Sequence, residues 1–347
     1  MVLLPIEFKN NQLILLDQRQ LPTKEEFIVC QTIEDGYNAI KNMVVRGAPC
    51  IGFTGIFSMA MWVYKNPEYT EIELKEAGDF LKSARPTAVN LAYEVDRIIA
   101  DLLAEDFEKA KAYDFLCEFG KKQFDQSEAD HRNMAMIAEK ELDDTLGKKE
   151  YRILTHCNTG FLACGSIGTA LGVVQHLGEK NRIEMTWVDE TRPYLQGSRL
   201  TAFELTKLEI PHKIVVEGAA SYLMKNGLVD AIFVGADRIV KNGDTANKVG
   251  TSNLSIIAKH YNIPFYVVAP SSTFDLESLE GKDIEIELRD EKEILDYKEH
   301  RIAPCKSSAL NPSFDITDGS LITGIISESG IAKGNYKQTL QRIVKNG

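Results

Sequence analysis

The chain has 347 residues, of which 44% are hydrophobic and 26% are charged, and its formal net charge is -11. This length suggests two domains with sizeable cores, and the composition is ordinary for a soluble globular protein. The acidic balance argues against an extended nucleic-acid surface, because such a surface needs clustered Lys and Arg, but a few donors suffice for one small phosphate. The chain shows no apolar run approaching the roughly 20 residues that span a bilayer and no evident signal peptide.

Six cysteines are scattered along the chain, with no CxxC pair and no matching histidine spacing. Zinc ligation and a disulfide framework are therefore not expected, and a reducing, cytoplasmic setting is the simplest interpretation. The chain also lacks a dinucleotide-binding fingerprint. We expect neither a metal nor an organic cofactor.

Residues 1–148 are predicted to form an N-terminal domain of strands and helices. Short apolar runs at 13–16 and 27–29 predict strands. From residue 32 the apolar spacing becomes helical. A turn with the sequence Arg85-Pro86-Thr87 interrupts this region, and Thr87 is a suitable N-cap for the helix that follows.

Residues 149–347 are predicted to form an α/β domain. Apolar stretches alternate with helical ones, and the predicted strands are 152–155, 184–188, 212–216, 231–234 and 264–268. This alternation is typical of βαβ units, which build a parallel sheet with helices on both faces. Ligands of such sheets bind at the carboxyl ends of the strands. The acid-rich stretch 283–299 is interpreted as a solvated loop or edge element.

Cys157 follows the first of these strands in a glycine-containing turn. A strand that leads through such a turn into a helix presents backbone N–H groups to an anion and would stabilise a nearby thiolate. The alternative is a small buried cysteine with an inert thiol. His156 precedes it, and on a strand it would point to the opposite face, so a thiol-dependent hydrolase is not favoured.

The second strand leads into a junction, 188–201, that contains two acids, two arginines and Gln196. A salt-bridged loop is one interpretation of this junction. Binding is the other, because binding residues gather on loops that a rigid scaffold holds. Glu190 and His156 are interpreted as supporting groups rather than reacting ones.

Asp237 comes after a buried strand and the small residues Gly235 and Ala236. We expect its carboxyl group in a partly dry cleft, where desolvation would raise the pKa and suit general acid catalysis. The alternative is a helix-capping aspartate.

Asn247 and Lys248, followed by Gly250 and Thr251, are suited to hold a phosphate. The lysine would supply a point charge and the backbone a cradle. In the N-terminal half, Arg46 and Arg85 lie in turns between helices and would reach the same cleft, although an ordinary surface arginine is the default interpretation for each.

Together, in chain order, these segments resemble the methylthioribose-1-phosphate isomerase family. The matching segments are Arg46-Gly47-Ala48-Pro49, Ala84-Arg85-Pro86-Thr87, Thr155-His156-Cys157-Asn158, Asp189-Glu190-Thr191-Arg192-Pro193 with Gln196-Gly197, Gly235-Ala236-Asp237-Arg238, Asn242-Gly243-Asp244 with Ala246-Asn247-Lys248, and Asn311-Pro312-Ser313-Phe314-Asp315 with Thr317. The resemblance covers essentially the whole chain.

The resemblance implies an aldose–ketose isomerase that converts S-methyl-5-thioribose 1-phosphate to S-methyl-5-thioribulose 1-phosphate in methionine salvage, a part of amino-acid biosynthesis. Cys157 and Asp237 match the catalytic pair of the family. The positions that match its sugar-phosphate contacts are Arg46, Gly47, Ala48, Arg85, Gln196, Asn247 and Lys248. The family also implies a small, mainly helical N-terminal domain, a Rossmann-like C-terminal domain and a homodimer.

Related families leave alternatives open. Isomerases of ribose 1,5-bisphosphate and 5-deoxyribose 1-phosphate resemble this chain as well, and Phe161, Cys164 and Ser166 depart from the expected pattern near the catalytic cysteine. The group at C5 of the sugar therefore stays open. A non-catalytic relative, the regulatory subunit of the translation-initiation nucleotide exchange factor, would not need to retain both Cys157 and Asp237.

The chemistry itself allows two routes. An anomeric phosphate blocks the usual opening to a free aldehyde, so the enzyme must assist opening at the ring oxygen, and Asp237 is assigned the acid role there. Cys157 would either remove the C2 proton or stabilise a charge during a hydride shift from C2 to C1. The sequence does not choose between these routes.

Overall fold

The computed structural model describes residues 4–85, 89–297 and 300–346. The predicted helix cap at Thr87 lies outside them. The chain divides into two compact units: unit 1 comprises Met1–Ala129 and Gly160–Gly168, and unit 2 comprises Asp130–Thr159 and Thr169–Gly347. Compactness does not establish independent folding, so the domain boundary between residues 148 and 149 stays a prediction.

Unit 1 combines a small antiparallel sheet with helices. Its strands, in sheet order, are β1 Ile6–Lys9, β2 Gln12–Leu16 and β3 Phe27–Cys30. Its helices are α1 Ile33–Lys41, α2 Ala48–Lys65, α3 Glu71–Lys82, α4 Val89–Leu102, the first part of α5 Ala112–Thr145, and the single turn α6 Phe161–Cys164. The two strands predicted here are confirmed, and β1 is additional.

Local sequence explains where the helices of unit 1 begin. Thr32 and Asp35 form a reciprocal capping box at α1, and Thr70 with Glu73 repeats it at α3. Helix α2 is apolar on nearly all sides and is buried along most of its length. A helix of this kind lies in the middle of a core.

Unit 2 contains a seven-stranded sheet in the order β16-β15-β10-β7-β4-β5-β6. The strands are β4 Tyr151–Thr155, β5 Ile183–Asp189, β6 His212–Val215, β7 Ala231–Val234, β10 Phe265–Val268, β15 Gly324–Ser327 and β16 Gly330–Ala332. All neighbours pair in parallel except β15 and β16. The five predicted strands and their parallel pairing are confirmed.

A second sheet in unit 2 has the order β11-β8-β9-β14. Its strands are β8 Arg238–Val240, β9 Thr245–Lys248, β11 Phe274–Asp275 and β14 Phe314–Thr317. The short strands β12 Asp296–Tyr297 and β13 His300–Arg301 form a separate pair. The sequence did not indicate this second sheet, because β9 is polar although all four of its residues are buried.

Helices cover both faces of the seven-stranded sheet. They are the second part of α5, α7 Ala170–Glu179, α8 Ala202–Lys207, α9 Ala220–Lys225, α10 Thr251–His260 and α12 Tyr336–Asn346, while the single turn α11 Lys292–Leu295 lies next to β12. Residues of α5, α7 and α8 pack on one face, and residues of α9, α10 and α12 pack on the other. The central strand β7 is therefore buried at every position, as parallel strands between two helix layers are.

Candidate active site

Three adjacent strands of unit 2, in the order β7-β4-β5, end at the same edge of the large sheet. Cys157 follows β4, Gln196 lies in the segment after β5, and Asp237 follows β7. Parallel strands present their carboxyl ends together, and ligands of α/β sheets bind there. The topology thus places three of the predicted site residues at one edge.

The turn at Cys157 is fixed through its backbone. Cys157 has a positive φ of 63°, its N–H donates to Thr191 Oγ1 at 2.8 Å, and its carbonyl accepts from Thr201 Oγ1 at 2.6 Å. Non-glycine residues adopt this conformation rarely, and often at functional sites. The sequence indicates neither of these two contacts, because a contact over more than 30 residues leaves no local pattern.

Cys157 differs from Cys30 and Cys50 in how far its side chain is exposed to solvent. Cys157 is partly exposed, whereas Cys30 and Cys50 are fully buried. Burial raises the pKa of the Cys30 thiol to about 11 and that of Cys50 to about 12. Cys30 and Cys50 are therefore inert packing residues. The interpretation of Cys157 as a buried structural cysteine is not supported, because Cys157 is partly exposed.

The helix expected directly after Cys157 is only the single turn Phe161–Cys164, and the next full helix begins at Ala170. A one-turn helix has little macrodipole, because the dipole is a sum over aligned peptides. The expectation that a helix start stabilises the thiolate is therefore wrong in this form.

His156 is buried between two acceptors. Its Nδ1 lies 3.1 Å from Asp189 Oδ2, and its Nε2 lies 3.0 Å from the carbonyl oxygen of Val249. Burial opposes the imidazolium, but the hydrogen bond to Asp189 and its negative charge outweigh burial and raise the pKa of His156. The ring is committed to these partners, in agreement with the prediction that it is no base for Cys157.

Gln196 lies just before a turn of π-helix, Gly197–Thr201, an arrangement that is frequent at functional sites. The side chain is buried, and its Oε1 has no hydrogen-bond partner among the described residues. A buried acceptor of this kind costs about 1–3 kcal/mol unless something donates to it. Gly197 packs so closely on β5 that an added Cβ would lie 1.7 Å from the Asp189 carbonyl oxygen.

Lys248 ends β9 and is buried, with Nζ donating to the Ser313 carbonyl at 3.0 Å. Burial lowers the pKa of its ammonium group, while an ionised Cys157 thiol and the Asp237 carboxylate act in the opposite direction. Lys248 is thus within electrostatic range of both predicted catalytic groups. Asn247 is buried beside it, and its Nδ2 donates to Thr251 Oγ1 at 3.0 Å.

The backbone cradle predicted after Lys248 is already filled. Gly250 N–H donates to Asp315 Oδ2 at 2.8 Å, and Ser252 N–H donates to Asp315 Oδ1 at 3.1 Å. Burial raises the pKa of Asp315, and these two donors act to lower it. The carboxylate caps α10, so the prediction that this backbone holds a phosphate is wrong.

Asp237 is exposed, which contradicts the predicted partly dry cleft. The chain leaves β7 at Val234 and turns into β8, and the Asp237 N–H donates to the Ala246 carbonyl at 2.9 Å. A strand rather than a helix follows, so the helix-capping interpretation is wrong as well. Burial of the chain ends at Gly235, so the buried strand β7 does not indicate the exposure of Asp237.

The remaining predicted residues belong to unit 1. Arg46 is buried, so it is not an ordinary surface arginine, and Gly47 and Ala48 begin α2. Gly47 has a φ of 88° and packs against Ala163. Arg85 is partly buried. Their approach to the residues of unit 2 stays a prediction.

Arg289 is a cation that the sequence analysis missed. It lies in the stretch that was interpreted as solvated, yet it is half-buried, and its Nε donates to Glu293 Oε1 at 2.9 Å. Its charge acts with burial to lower the pKa of Lys248. The only signal in the sequence is a single arginine among acids, which is too weak to single out.

Two further observations concern the described residues, 4–85, 89–297 and 300–346. Within them, His, Cys, Asp and Glu side chains form no group of three placed to hold a metal ion. Within the same residues, no helix is long and apolar enough to cross a membrane.

Comparison with known proteins shows similarity along nearly the whole chain. The model of the initiation factor 2 subunit family matches residues 44–334. A methylthioribose-1-phosphate isomerase from Natranaerobius thermophilus is 43% identical over 343 residues, covering 97% of each chain. The crystal structure of 5-methylthioribose 1-phosphate isomerase from Pyrococcus horikoshii has a TM-score of 0.92 and 36% identity, covering 100% of this chain and 97% of that one.

A protein with a different name is also similar. The crystal structure of the translation initiation factor eIF-2B, subunit delta, from A. fulgidus has a TM-score of 0.88 and 35% identity, covering 99% of this chain and 100% of that one. Similarity of the whole chain therefore extends to proteins named as enzymes and to one named as a translation factor subunit.

Proposed function

This chain belongs to the initiation factor 2 subunit family, and we propose that it is an isomerase that converts S-methyl-5-thioribose 1-phosphate to S-methyl-5-thioribulose 1-phosphate. The observation that carries the proposal is the group at the carboxyl edge of the large sheet. There Val249, which directly follows the buried Lys248, accepts a hydrogen bond from the ring of His156, which directly precedes Cys157, and the charges of Cys157 and Asp237 act on the pKa of Lys248. A purely structural subunit has no need of a thiol and a carboxylate around one buried cation.

The proposed roles follow from the chemistry of each group. Lys248 and Asn247 hold the phosphate, and the unpaired Oε1 of Gln196 accepts from a sugar hydroxyl. Arg46, Gly47, Ala48 and Arg85 complete the contacts to the sugar phosphate. The lowered pKa of Lys248 reflects a buried cation that a phosphate dianion would stabilise in its charged form.

Asp237 is the proposed acid at the ring oxygen when the bond to C1 opens. Hydrogen then moves from C2 to C1 by one of two balanced routes. In the first, the C2 hydroxyl loses its proton to a base while hydride passes from C2 to C1. In the second, the Cys157 thiolate takes the C2 proton, which leaves a C1–C2 enol, and a proton then returns to C1 while the C2 hydroxyl gives up its own proton to a base and becomes the carbonyl. Either route suits a site from which bound substrate excludes water.

Several finer statements belong to the same proposal. We propose a Rossmann-like C-terminal domain and a small, mainly helical N-terminal domain divided near residue 148, a homodimer, and a cytoplasmic setting in methionine salvage. The alternation of strands and helices in unit 2 supports the first of these.

A second candidate is a regulatory subunit that binds sugar phosphates or nucleotides without turnover. Similarity to the eIF-2B delta subunit favours it. Turnover separates the two candidates, because only the isomerase forms a ketose.

The test is an assay of purified protein after exhaustive dialysis against a chelator. Methylthioribose 1-phosphate, 5-deoxyribose 1-phosphate and ribose 1,5-bisphosphate are offered side by side, and ketose formation is measured. We expect the highest kcat/KM for methylthioribose 1-phosphate. No ketose from any substrate would favour the regulatory subunit, a higher kcat/KM for another sugar would reassign the substrate, and activity restored only by a divalent ion would contradict metal-free catalysis.

The same assay in deuterated water addresses the route. Deuterium at C1 of the ketose would favour proton removal by a base. Its complete absence is the expected result for a hydride shift, although a base that returns its own proton gives the same result.

A further inference from the structure

The buried ring of His156 joins two separate parts of unit 2. His156 lies directly before Cys157 at the end of β4, which belongs to the seven-stranded sheet. Its Nε2 partner, Val249, lies directly after Lys248 at the end of β9, which belongs to the four-stranded sheet. The ring therefore links the segment that carries the thiol to the segment that carries the buried cation.

The hydrogen-bond partners determine where the protons of the ring lie. The carbonyl oxygen of Val249 can only accept, so Nε2 must carry a hydrogen. On the other side, Nδ1 lies 3.1 Å from Asp189 Oδ2, and a hydrogen bond joins these two atoms whichever of them carries the proton. The acidic groups Asp189 and Glu217 both favour a positively charged ring. The Nε2–H bond to Val249 thus persists with either protonation state of Nδ1.

The backbone around Val249 is shaped to admit the ring. Gly250 has no side chain, and an added Cβ would lie 2.8 Å from His156 Cε1. The N–H of Gly250 is held by Asp315, as described above, so the peptide between Val249 and Gly250 is tied on both of its polar groups. A peptide fixed in this way also fixes the direction in which the chain leaves Lys248.

We propose that His156 is a positioning residue that sets Lys248 relative to Cys157 through the hydrogen bond from Nε2 to the Val249 carbonyl. This role rests on the proposed function of the same site. It assigns no reaction step to the imidazole. Loss of the bond would remove the imidazole donor from the half-buried Val249 carbonyl and free the Lys248 segment to shift, and a small misplacement of a binding group has a large effect on rate.

Two substitutions of similar size and polarity separate this role from general stability. The amide nitrogen of glutamine reaches about as far as Nε2 of histidine, whereas that of asparagine reaches only as far as Nδ1. His156→Gln is expected to keep the bond to Val249, and His156→Asn is expected to keep only the contact with Asp189. We expect KM for methylthioribose 1-phosphate to be about tenfold or more higher in His156→Asn than in His156→Gln, at similar melting temperatures.

Equal KM values in the two folded variants would overturn the proposal, as would losses that follow the melting temperature alone. If either variant fails to fold, Asp189→Asn provides the second test. An asparagine amide can donate to a neutral Nδ1, so Nε2 keeps its hydrogen, and KM is expected to stay within about threefold of the wild type. A tenfold or larger rise in KM in folded Asp189→Asn would contradict the proposal.

Failure of this inference is distinguishable from failure of the proposed function. Wild-type ketose formation is measured first, and its absence rejects the isomerase itself. In that case the same variants are compared by calorimetric binding of inorganic phosphate. Weaker binding in His156→Asn than in His156→Gln would still support the positioning role, and equal binding would reject it.

Discussion

The turns after β4 and β7 carry the two proposed catalytic groups on neighbouring strands, yet they are built differently. The turn at Cys157 is held on both sides of the residue by Thr191 and Thr201, in a conformation with positive φ. In the turn at Asp237 the backbone N–H of Asp237 donates to the Ala246 carbonyl, φ is not positive, and the side chain is exposed. The backbone around Cys157 is therefore fixed by the fold, whereas the exposed carboxylate of Asp237 would lose its water only when a substrate covers it.

The largest expected effect is on turnover. Cys157→Ser and Asp237→Asn should each lower kcat by about 10²–10⁴-fold, the usual contribution of a general acid or base. Both changes preserve volume, so the melting temperature should change little and substrate should still bind. Steady-state kinetics with thermal unfolding checks this prediction.

Cys305→Ser and Asp144→Asn are matched controls, because both residues are exposed and lie outside the site. Near-normal turnover in either site variant would refute its catalytic role. Loss of turnover only through unfolding would restore the structural interpretation of that residue.

The second largest effect is expected on substrate binding when the buried cation Lys248 is removed. Lys248→Ala should weaken substrate binding by about 2–5 kcal/mol, the usual cost of removing a charged partner of a desolvated anion. At least one of Arg46→Ala and Arg85→Ala should weaken binding as well. Calorimetric titration checks the values, with the surface variant Lys180→Ala as the control, and equal effects of Lys180 and Lys248 would contradict the phosphate site.

A smaller effect is expected where β5 supports the Cys157 turn. Gly197→Ala should destabilise the fold by about 1–3 kcal/mol, because its Cβ would collide with a backbone carbonyl that cannot easily move. Gly218→Ala is the control, since nothing lies within 4 Å of an added Cβ there. Denaturant unfolding measures both, and equal stability of the two variants would show that the close approach at Gly197 is not real.

An effect on stability of similar size, and none on turnover, is expected in a region remote from both turns. Burial opposes ionisation of Glu139, but hydrogen bonds from Lys180, His176 and Arg182 outweigh it and lower the pKa from 4.5 to about 2. A lowered carboxyl pKa contributes stability above pH 4.5 that is lost as pH falls towards 2. We expect the ionised Glu139 to contribute about 1–3 kcal/mol to the free energy of unfolding at neutral pH, after allowance for partial screening by solvent.

Glu139→Gln should therefore lower the free energy of unfolding at neutral pH. The variant should also lose less of that free energy than the wild type as the pH falls, and its kcat should not change. Denaturant unfolding of the variant and the wild type at several pH values between pH 5 and pH 2 measures this difference. Glu150→Gln is the control, because Glu150 is exposed. An unchanged acid dependence would show that the Glu139 cluster contributes little, and a changed kcat would show that it is coupled to the site.

The large sheet was predictable from sequence because its strands are buried on both faces and read as unbroken apolar runs, as β7 and β10 do. The second sheet was not, because β9 carries Asn247 and Lys248, and buried polar strands break the local rule at functional sites. The resemblance to the isomerase family indicated Asn247 and Lys248 as binding residues, but it did not indicate that they lie in a strand.

The arrangement within the site was the least predictable part. The contact of His156 with Val249 spans 93 residues, and no local pattern indicates it. The exposure of Asp237 depends on how the chain turns after β7, and the half-buried setting of Arg289 depends on neighbours far along the chain. Sequence patterns report local burial, whereas these features are set by tertiary packing.

The most direct test of the central claim is the turnover of the double variant Cys157→Ser/Asp237→Asn on methylthioribose 1-phosphate. Groups that serve one reaction act as a unit, so the second substitution should add little to the loss from the slower single variant. The account predicts a double variant about as slow as that single variant, folded and still binding substrate. Losses that multiply would instead show that the two residues act independently, and they would contradict a shared catalytic site.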